Sequence, residues 1–203
     1  FPTRRSSDLL LVETDDANPD VFKAHGERIQ CAALSLDEAD GWIQMVNSLD
    51  QTRGVPVVVN TAARNSTGVA RYGQTLKSTL GELGRTMVTL WVINRQRDSL
   101  ELLADYLDAM PAGADHQVHV VRNGYFGSAE KFQLYNGSQL KQRIEEAGGL
   151  TLDFPDLADR VADQMATQRL TIQGALKEMP LGHRAELIRW RDDAFKVLGR
   201  VMT

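Results

Sequence analysis

The sequence predicts an α/β protein built on a doubly wound, mostly parallel sheet of the Rossmann-like type, followed by a helical C-terminal extension. Short runs rich in valine and leucine alternate with segments of helical periodicity, and no repeat or low-complexity tract interrupts this order. The stretch GVPVVVNTAAR, Gly54 to Arg64, organises the rest, because its valines predict a buried central strand. Asn60, Thr61 and Arg64 follow at the carboxyl end, where open α/β sheets bind ligands. A plain turn role for Asn60 and Thr61 fits the same residues equally well.

Composition is typical of a globular protein and excludes several classes. The 203 residues fit one domain, and the net charge of −4 gives no general attraction to nucleic acids or anionic membranes, so DNA binding would need a local patch. Cys31 is the single cysteine, which excludes an internal disulfide and fits a reducing cytoplasm. No apolar run approaches the roughly twenty residues that span a bilayer.

The first eight residues, FPTRRSSD, stand apart from the rest of the sequence. They resemble a translated sequencing-adapter remnant, which predicts a non-native or disordered leader over residues 1–8. Residues 9–203 are then expected to form a single α/β domain with C-terminal helices. A native strand and helix are expected upstream of Leu9.

The first half of the chain alternates strands with helices. Strands are predicted over Leu9–Glu13, Ile29–Leu34 and the valine run after Gly54. Helices, with apolar residues spaced by threes and fours, are predicted over Val21–Arg28, Asp37–Leu49 and Gly68–Leu83. An acidic loop, Thr14 to Asp20, follows the first strand and contains the turn signal Asn18-Pro19.

The second half continues this alternation and ends in helices. Strands are predicted over Met87–Ile93, Gln117–Arg122 and Leu150–Phe154. Helices are predicted from the N-cap Asp98 to Pro111 and over Gly137–Ala147, Asp156–Arg169 (opened by Pro155), Ile172–Leu176 and Gly182–Val201. The last helix has a broad apolar stripe formed by Leu187, Ile188, Trp190, Ala194, Phe195, Leu198 and Val201. Its opposite face carries mixed charges and is expected to be solvated.

Polar residues follow four of the predicted strands. These strand exits are Glu13 with Asp15, Asn60 with Thr61, Asn94 with Arg95, and Arg122 with Asn123. Parallel strands place their carboxyl ends at one edge of a sheet, so the four exits are expected to converge on a single ligand. Their cationic members suit an anionic group, and their carboxylates suit a metal ion or an attacking water molecule. Arg95 and Arg97 also fit ordinary surface positions.

Several well-known motifs are absent from the sequence. It contains neither G-x-x-x-x-G-K-[ST] nor G-x-G-x-x-G, so none of its residues form a recognised phosphate-binding loop. His116 and His119 alternate along a predicted strand, which favours ordinary side chains over metal ligands. No metal site is therefore predicted, and no G-x-S-x-G sequence supports a serine nucleophile.

Five segments carry a resemblance to a known family. LLLVETDDANPDV is similar to the second strand and switch I loop of the ParA/MinD-like P-loop ATPases, VPVVVNTAAR to their Walker B strand, and VRNGYFG to the late strand that reads adenine. The segments TLWVINRQRDSLELL and FPDLADRVADQ are similar in sequence to ParA-like nucleotide-binding proteins of plasmid mobilisation and transfer regions. The resemblance covers residues 9–202 and implies a dimeric, cytoplasmic protein that binds ATP and Mg²⁺ in plasmid partition, mobilisation or conjugation.

The resemblance also assigns roles to individual residues. Asp15 corresponds to the switch I aspartate that orients the attacking water, with Glu13 as its structural neighbour. Asn60, next to Thr61, occupies the position of the Walker B aspartate, and Asn123 that of the adenine-reading asparagine. An amide at position 60 cannot supply the charge that holds the Mg²⁺-bound water, which implies slow ATP hydrolysis. The residues alone also allow a solvated acidic turn at Asp15 and a turn residue at Asn123.

The glycine-rich loop that this family uses to hold phosphates is not among the 203 residues. The resemblance thus implies a nucleotide-dependent switch, active as a homodimer in the intact parent, and a chain that by itself binds ATP weakly or not at all. Two alternatives remain open: an ATP-dependent small-molecule synthetase of the dethiobiotin-synthetase type, and a nucleotide-free scaffold for protein interactions. A transfer or partition protein is the expected partner.

One structural expectation follows from the missing loop. In this family the strand before the loop lies between the strand that ends at Asn60 and the strand that ends at Ile93. Its absence predicts two apolar strand edges that lack their common neighbour, and such edges favour aggregation.

Overall fold

The computed structural model describes residues 6–62 and 65–202, and strands alternate with helices through both ranges. Within them lie the strands β1 (Ser6–Glu13), β2 (Ile29–Ala33), β3 (Val57–Asn60), β4 (Met87–Ile93), β5 (His116–Asn123) and β6 (Thr151–Phe154). The helices are α1 (Asp20–His25), α2 (Ala39–Gln51), α3 (Ser66–Lys77), α4 (Leu80–Leu83), α5 (Arg97–Ala109), α6 (Gln133–Asn136), α7 (Gln139–Glu146), α8 (Asp159–Gln168), α9 (Ile172–Glu178) and α10 (Leu181–Leu198). The predicted α/β class is confirmed. Arg64 lies outside the described residues.

The described residues divide into two compact units, each with one three-stranded sheet. The first unit runs up to Met87 and includes Asp105–Pro111, and the second comprises Val88–Ala104 and the residues from Ala112 onward. The strand orders are β2-β1-β3 in the first unit and β4-β5-β6 in the second. The pairs β1–β2, β1–β3 and β5–β6 are parallel, as predicted. The single domain expected over residues 9–203 stays a prediction.

The core of the first unit forms where α2, α3 and α4 cover the apolar side of the sheet. Its buried members are Leu10, Val12, Leu36, Trp42, Met45, Leu49, Leu76, Leu80 and Leu83. The Trp42 indole N–H donates to the Leu36 carbonyl at 2.9 Å, which satisfies the polar atom of this large buried ring. Apolar burial of this kind is the main stabilising contribution to the unit.

Two glycines allow both long helices of the first unit to approach one loop. A Cβ atom on Gly41 in α2 would lie 1.6 Å from the Ser35 carbonyl oxygen, and one on Gly68 in α3 would lie 1.9 Å from that of Leu36. Neither distance is compatible with a side chain. The loop after β2 is therefore clamped between the two helices by backbone contact.

Apolar clusters among the described residues of the second unit involve both its sheet and its C-terminal helices. One combines the sheet residues Val121 and Leu152 with Val201, and Leu90 packs against it. Another joins the C-terminal helices through Val161, Ala175, Met179 and Leu187. The predicted helical extension is thus part of the packed structure of this unit. No helix among the described residues has the length and apolar character needed to cross a bilayer.

The strand β3 differs from its prediction in burial. The prediction of a buried central strand is wrong, because β3 lies at the edge of its sheet and pairs with β1. The side chains of Val58 and Val59 are 42% and 38% exposed. A run of valines indicates a strand but does not specify how many neighbours that strand has. Val58 and Val59 thus present apolar surface on an edge strand.

The strand β4 is likewise the first strand of its sheet, with Val88 and Val92 43% and 58% exposed. In the described part of the chain, β3 and β4 belong to different sheets and no strand stands beside both of them. The strand expected between β3 and β4 stays a prediction.

Three predicted helix boundaries are also wrong. The helix α5 begins at Arg97, so Asp98 lies within its first turn and is not the N-cap. Pro155 does not open a helix, because its carbonyl accepts the Trp190 indole N–H at 2.9 Å and α8 begins at Asp159. The predicted helix Gly68–Leu83 is split into α3 and α4, because the Thr79 hydroxyl donates back to the Leu76 carbonyl at the junction.

Candidate functional site

The carboxyl ends of β1 and β3 bring two predicted site residues together. Glu13 and Asn60 are partners in the parallel register of these strands. The Asn60 side-chain Nδ2 donates to Glu13 Oε1 at 2.8 Å. Glu13 is 2% exposed and Asn60 is half-buried, so the carboxylate of this pair is shielded from solvent. The parallel sheet therefore confirms that these two strand exits meet.

Two backbone groups complete the environment of the Glu13 carboxylate. Oε1 accepts the backbone N–H of Asp15 at 3.0 Å, and Oε2 accepts the backbone N–H of Phe22 at 3.4 Å. These hydrogen bonds offset part of the free-energy cost of burying a carboxylate. They also tie the loop after β1 to the first turn of α1. Glu13 consequently determines the path of the whole acidic loop.

A second layer of hydrogen bonds involves Thr14 and a residue that the sequence did not single out. Both the backbone N–H and the hydroxyl of Thr14 donate to the Asn60 carbonyl at 2.9 Å. The Thr14 hydroxyl oxygen in turn accepts Nδ2 of Asn65 at 3.1 Å, and Asn65 is 3% exposed. Asn65 directly precedes α3 at the N-cap position, and this position is the only sequence signal that marks it. Its side chain crosses to β1 and does not cap the helix.

Asp15 is half-buried and organises the turn that follows β1. Its Oδ1 accepts the backbone N–H groups of Ala17 at 3.2 Å and Asn18 at 3.1 Å. This is an Asx turn, the local role that the residues alone also allow. Thr61 follows Asn60 and is exposed. The catalytic role of Asp15 stays a prediction, as does the contact of Thr61 with a nucleotide.

The strand exits of the second unit are occupied by local contacts. Arg122 makes a bidentate ion pair with Asp153, its register partner on β6, at 2.7 and 2.9 Å, and donates to Asn136 Oδ1 at 2.7 Å. The Asn123 side chain accepts the backbone N–H of Tyr125 at 3.1 Å and caps a short 3₁₀ turn. The cation of Arg122 is therefore engaged with a carboxylate. Adenine recognition by Asn123 stays a prediction.

The remaining exit, after β4, is on the surface of the second unit. Asn94 Oδ1 accepts the backbone N–H of Gln96 at 2.7 Å. Arg95 and Arg97 are exposed, and Arg97 pairs with Glu101 one helical turn away at 3.5 Å. The four predicted exits thus belong to two units. Their convergence on one ligand stays a prediction.

The two histidines of β5, His116 and His119, each make a hydrogen bond within the protein. Nδ1 of His119 accepts the backbone N–H of Leu150 at 3.0 Å, which keeps that ring neutral, and burial lowers the pKa of His119 below its ordinary value of 6.5. Nε2 of His116 forms a hydrogen bond with the Thr89 hydroxyl at 3.0 Å. Among the described residues no three His, Cys, Asp or Glu side chains are grouped as a metal site requires.

The side chains at the ends of β1 and β3 fit the metal ion of a nucleotide–Mg²⁺ complex better than they fit its phosphates. Asp15 and Thr61 offer partly accessible oxygen atoms, which are the ligands that Mg²⁺ prefers. Glu13 is already occupied by three donors, and Asn60 brings no charge. Phosphate groups require a cradle of backbone N–H groups or cations, and the described exits of the first unit show none. The cluster fits a hard cation and does not by itself fit a triphosphate.

A comparison with curated proteins finds protein MobD of Acidithiobacillus ferrooxidans. It is 58% identical to this chain over 198 residues, which are 98% of this chain and 86% of MobD. No family model matches the sequence, and no solved structure matches it.

Proposed function

This chain belongs to the family of protein MobD, and on that premise we propose that it acts as a nucleotide-dependent switch in plasmid mobilisation. The family name supports a mobilisation-related protein. The switch activity comes from the resemblance to ParA/MinD-like ATPases over residues 9–202. A component of the plasmid transfer machinery is the proposed partner, and the cytoplasm is the proposed location.

One observation supports the nucleotide site more than any other. Glu13 and Asn60 are in register on neighbouring parallel strands and touch at 2.8 Å, at the sheet edge where open α/β proteins bind ligands. The three donors around Glu13 fix the loop that carries Asp15, so the position of Asp15 is preorganised.

Within this proposal each residue of the site has a distinct task. Asp15 orients water at the reacting phosphate and, with Thr61, provides oxygen ligands for Mg²⁺. Glu13 and Asn60 position the loop, and Asn123 recognises the base. ATP with Mg²⁺, when bound, supplies the phosphoryl chemistry. The phosphate loop and the nucleotide-bridged homodimer are proposed for the longer protein that includes the residues encoded upstream of Leu9.

Calorimetric titration with ATP and Mg²⁺ tests this proposal. The 203-residue chain is compared with the chain extended by the residues that its gene encodes upstream of Leu9. We expect binding by the extended chain and weak or undetectable binding by the shorter one, because the proposal assigns the phosphate cradle to the added residues. Equal tight binding by both, or no binding by the extended chain, contradicts the proposal.

Hydrolysis by the extended chain tests the role of Asp15. Asp15→Ala should reduce the rate by at least about a hundredfold, since it removes the group that orients water. Asp16→Ala is the matched control, because it removes an exposed carboxylate from the next position and should leave the rate within about twofold. Equal hydrolysis rates in the two variants would show that Asp15 only stabilises the turn and takes no part in the reaction.

A second function, a nucleotide-free interaction scaffold, is favoured by the contact of Asn60. An amide at this position complements the buried Glu13 carboxylate, so the position serves folding even without Mg²⁺. The extended chain decides between the two functions: a scaffold binds its partner with equal affinity in the presence and absence of ATP. No observation favours the synthetase alternative.

A further inference from the structure

The C-terminal helix α10 carries more apolar surface than its own unit buries. Its inner side packs into the second unit through Leu187, Ala194 and, one turn beyond the helix end, Val201. A second row of large apolar side chains faces solvent: Leu181, Ile188, Phe195 and Met202, which are 74%, 41%, 63% and 64% exposed. We call this second row the outer stripe. The broad apolar stripe predicted from the sequence is thus only half used by the fold.

The outer stripe has a regular period. Its four members follow one another at intervals of seven residues, which is two helical turns or about 10 Å along the axis. The backbone N–H of Met202 donates to the Leu198 carbonyl at 3.2 Å, so the helical path continues to the last member. A seven-residue apolar period is the period with which one helix packs along another. The surface therefore fits a second helix.

We propose that this second helix is α10 of another copy of the same chain, packed in the antiparallel direction. A twofold axis midway between Arg191 and Asp192 places Ile188 of each copy opposite Phe195 of the other. The same axis places Leu181 opposite Met202. Each apolar contact then combines two different side chains and occurs twice, as an isologous interface requires.

Charge complementarity at the centre supports the antiparallel direction. The proposed axis brings Arg191 of each copy to Asp192 of the other, which gives two reciprocal ion pairs. A parallel pair would instead bring Arg191 to Arg191 and Asp192 to Asp192, and like charges at such positions are unfavourable. Within one chain Arg191 and Asp192 already form an ion pair at 2.8 Å. Their charged groups therefore lie side by side at the centre of the proposed interface.

Small residues between the large ones allow close helix contact. Ala185 and Gly199 follow Leu181 and Phe195 by four positions, on the same side of the helix, and both are exposed. The methyl group of Ala185 and the bare backbone of Gly199 leave room for the large members of the facing helix. One pair of helices of this length gives an interface at the small end of the range for specific complexes, so we expect a concentration-dependent dimer. It requires no nucleotide, in contrast to the dimer proposed above.

Sedimentation velocity of the full 203-residue chain over a range of concentrations tests the proposal without ATP. The chain should pass from monomer to dimer with rising concentration. Phe195→Glu should raise the dissociation constant at least about tenfold, because it places a charge in the apolar contact. Leu134→Glu is the matched control: it adds the same charge at a 57% exposed leucine of α6, outside the outer stripe, and should have no effect. A chain that stays monomeric, or equal effects of both variants, overturns the proposal.

Charge exchange distinguishes the antiparallel second copy from other occupants. Arg191→Asp should weaken the dimer about fivefold, because it brings four carboxylates to the centre. The double variant Arg191→Asp with Asp192→Arg should restore the affinity, since the reciprocal pairs form again with their signs exchanged. Failure of this restoration overturns the antiparallel arrangement. Binding of anionic phosphatidylserine vesicles by the monomer, abolished by Phe195→Glu, would assign the outer stripe to a membrane surface instead.

Discussion

Two cross-strand pairs at the carboxyl ends of parallel sheets differ in burial, and this difference decides what each can do. In the first unit Asn60 donates to Glu13, which is 2% exposed. In the second unit Arg122 pairs with Asp153, whose side chain is 58% exposed. Both pairs are register partners in their ladders. The pair with the buried carboxylate fixes the geometry of a loop, whereas in the second pair only the Arg122 side chain is largely covered, at 14% exposure, and the carboxylate is solvated.

The largest effect is expected when the buried pair receives a second negative charge. Asn60→Asp would place two carboxylates at the distance of a hydrogen bond inside the first unit, and should reduce the free energy of unfolding by about 3 kcal/mol at pH 8. One of the two groups must take up a proton for the fold to persist. The loss should therefore be smaller at pH 5, as measured by urea denaturation at both values.

Thr61→Asp is the control for this experiment, because it adds the same charge at the next, exposed residue. It should change the unfolding free energy by less than about 0.5 kcal/mol. If Asn60→Asp were as stable as the original chain at pH 8, the buried pair could not be the determinant of the loop.

A smaller effect is expected from the pair of the second unit, whose carboxylate is solvated. Arg122→Met should reduce the free energy of unfolding by about 1 kcal/mol, since the bidentate contact and the bond to Asn136 are lost but Asp153 stays solvated. Thermal or urea unfolding measures the change. Arg97→Met breaks a fully surface-exposed pair and should have almost no effect. A loss for Arg122→Met as large as that for Asn60→Asp would contradict the comparison.

The smallest expected effect is a decrease in stability at low pH that arises from His119, which is buried, and His25, which is half-buried. Burial lowers the pKa of His119 below 6.5, and burial together with Arg28 lowers the pKa of His25. Below about pH 6.5 the unfolded chain takes up protons that these folded histidines do not, so stability is complete above that pH and falls as the pH is lowered. Urea midpoints between pH 7.5 and pH 5 should show this decline.

The variant His119→Asn separates the contribution of the second unit. The asparagine Oδ1 can accept the backbone N–H of Leu150, as Nδ1 of His119 does, but the side chain does not titrate. In this variant the decrease in the urea midpoint below about pH 6.5 should become shallower. His25→Asn should reduce the decrease that is left. An unchanged pH profile in both variants would show that neither histidine is responsible.

Local sequence patterns were sufficient for the elements of the fold, because hydrophobic periodicity depends on neighbours within a few residues. Each of the six strands lies within a few residues of its predicted position, and Met87–Ile93 matches fully. The meeting of Glu13 with Asn60 also followed from the sequence, since parallel strands align their carboxyl ends. The contact of Asn65 with Thr14 did not follow from the sequence, because the two residues are 51 positions apart and no local pattern encodes that pairing.

The sequence by itself determined the α/β class, the strand exits and the membership in the MobD family. Tertiary structure alone decided that β3 and β4 are edge strands with exposed valines, that Glu13 is buried, and that only the inner side of α10 packs against its unit. The physical reason is that chain periodicity specifies which side chains share a face. Whether that face is covered depends on which other segments reach it, and this is a property of the whole packed molecule.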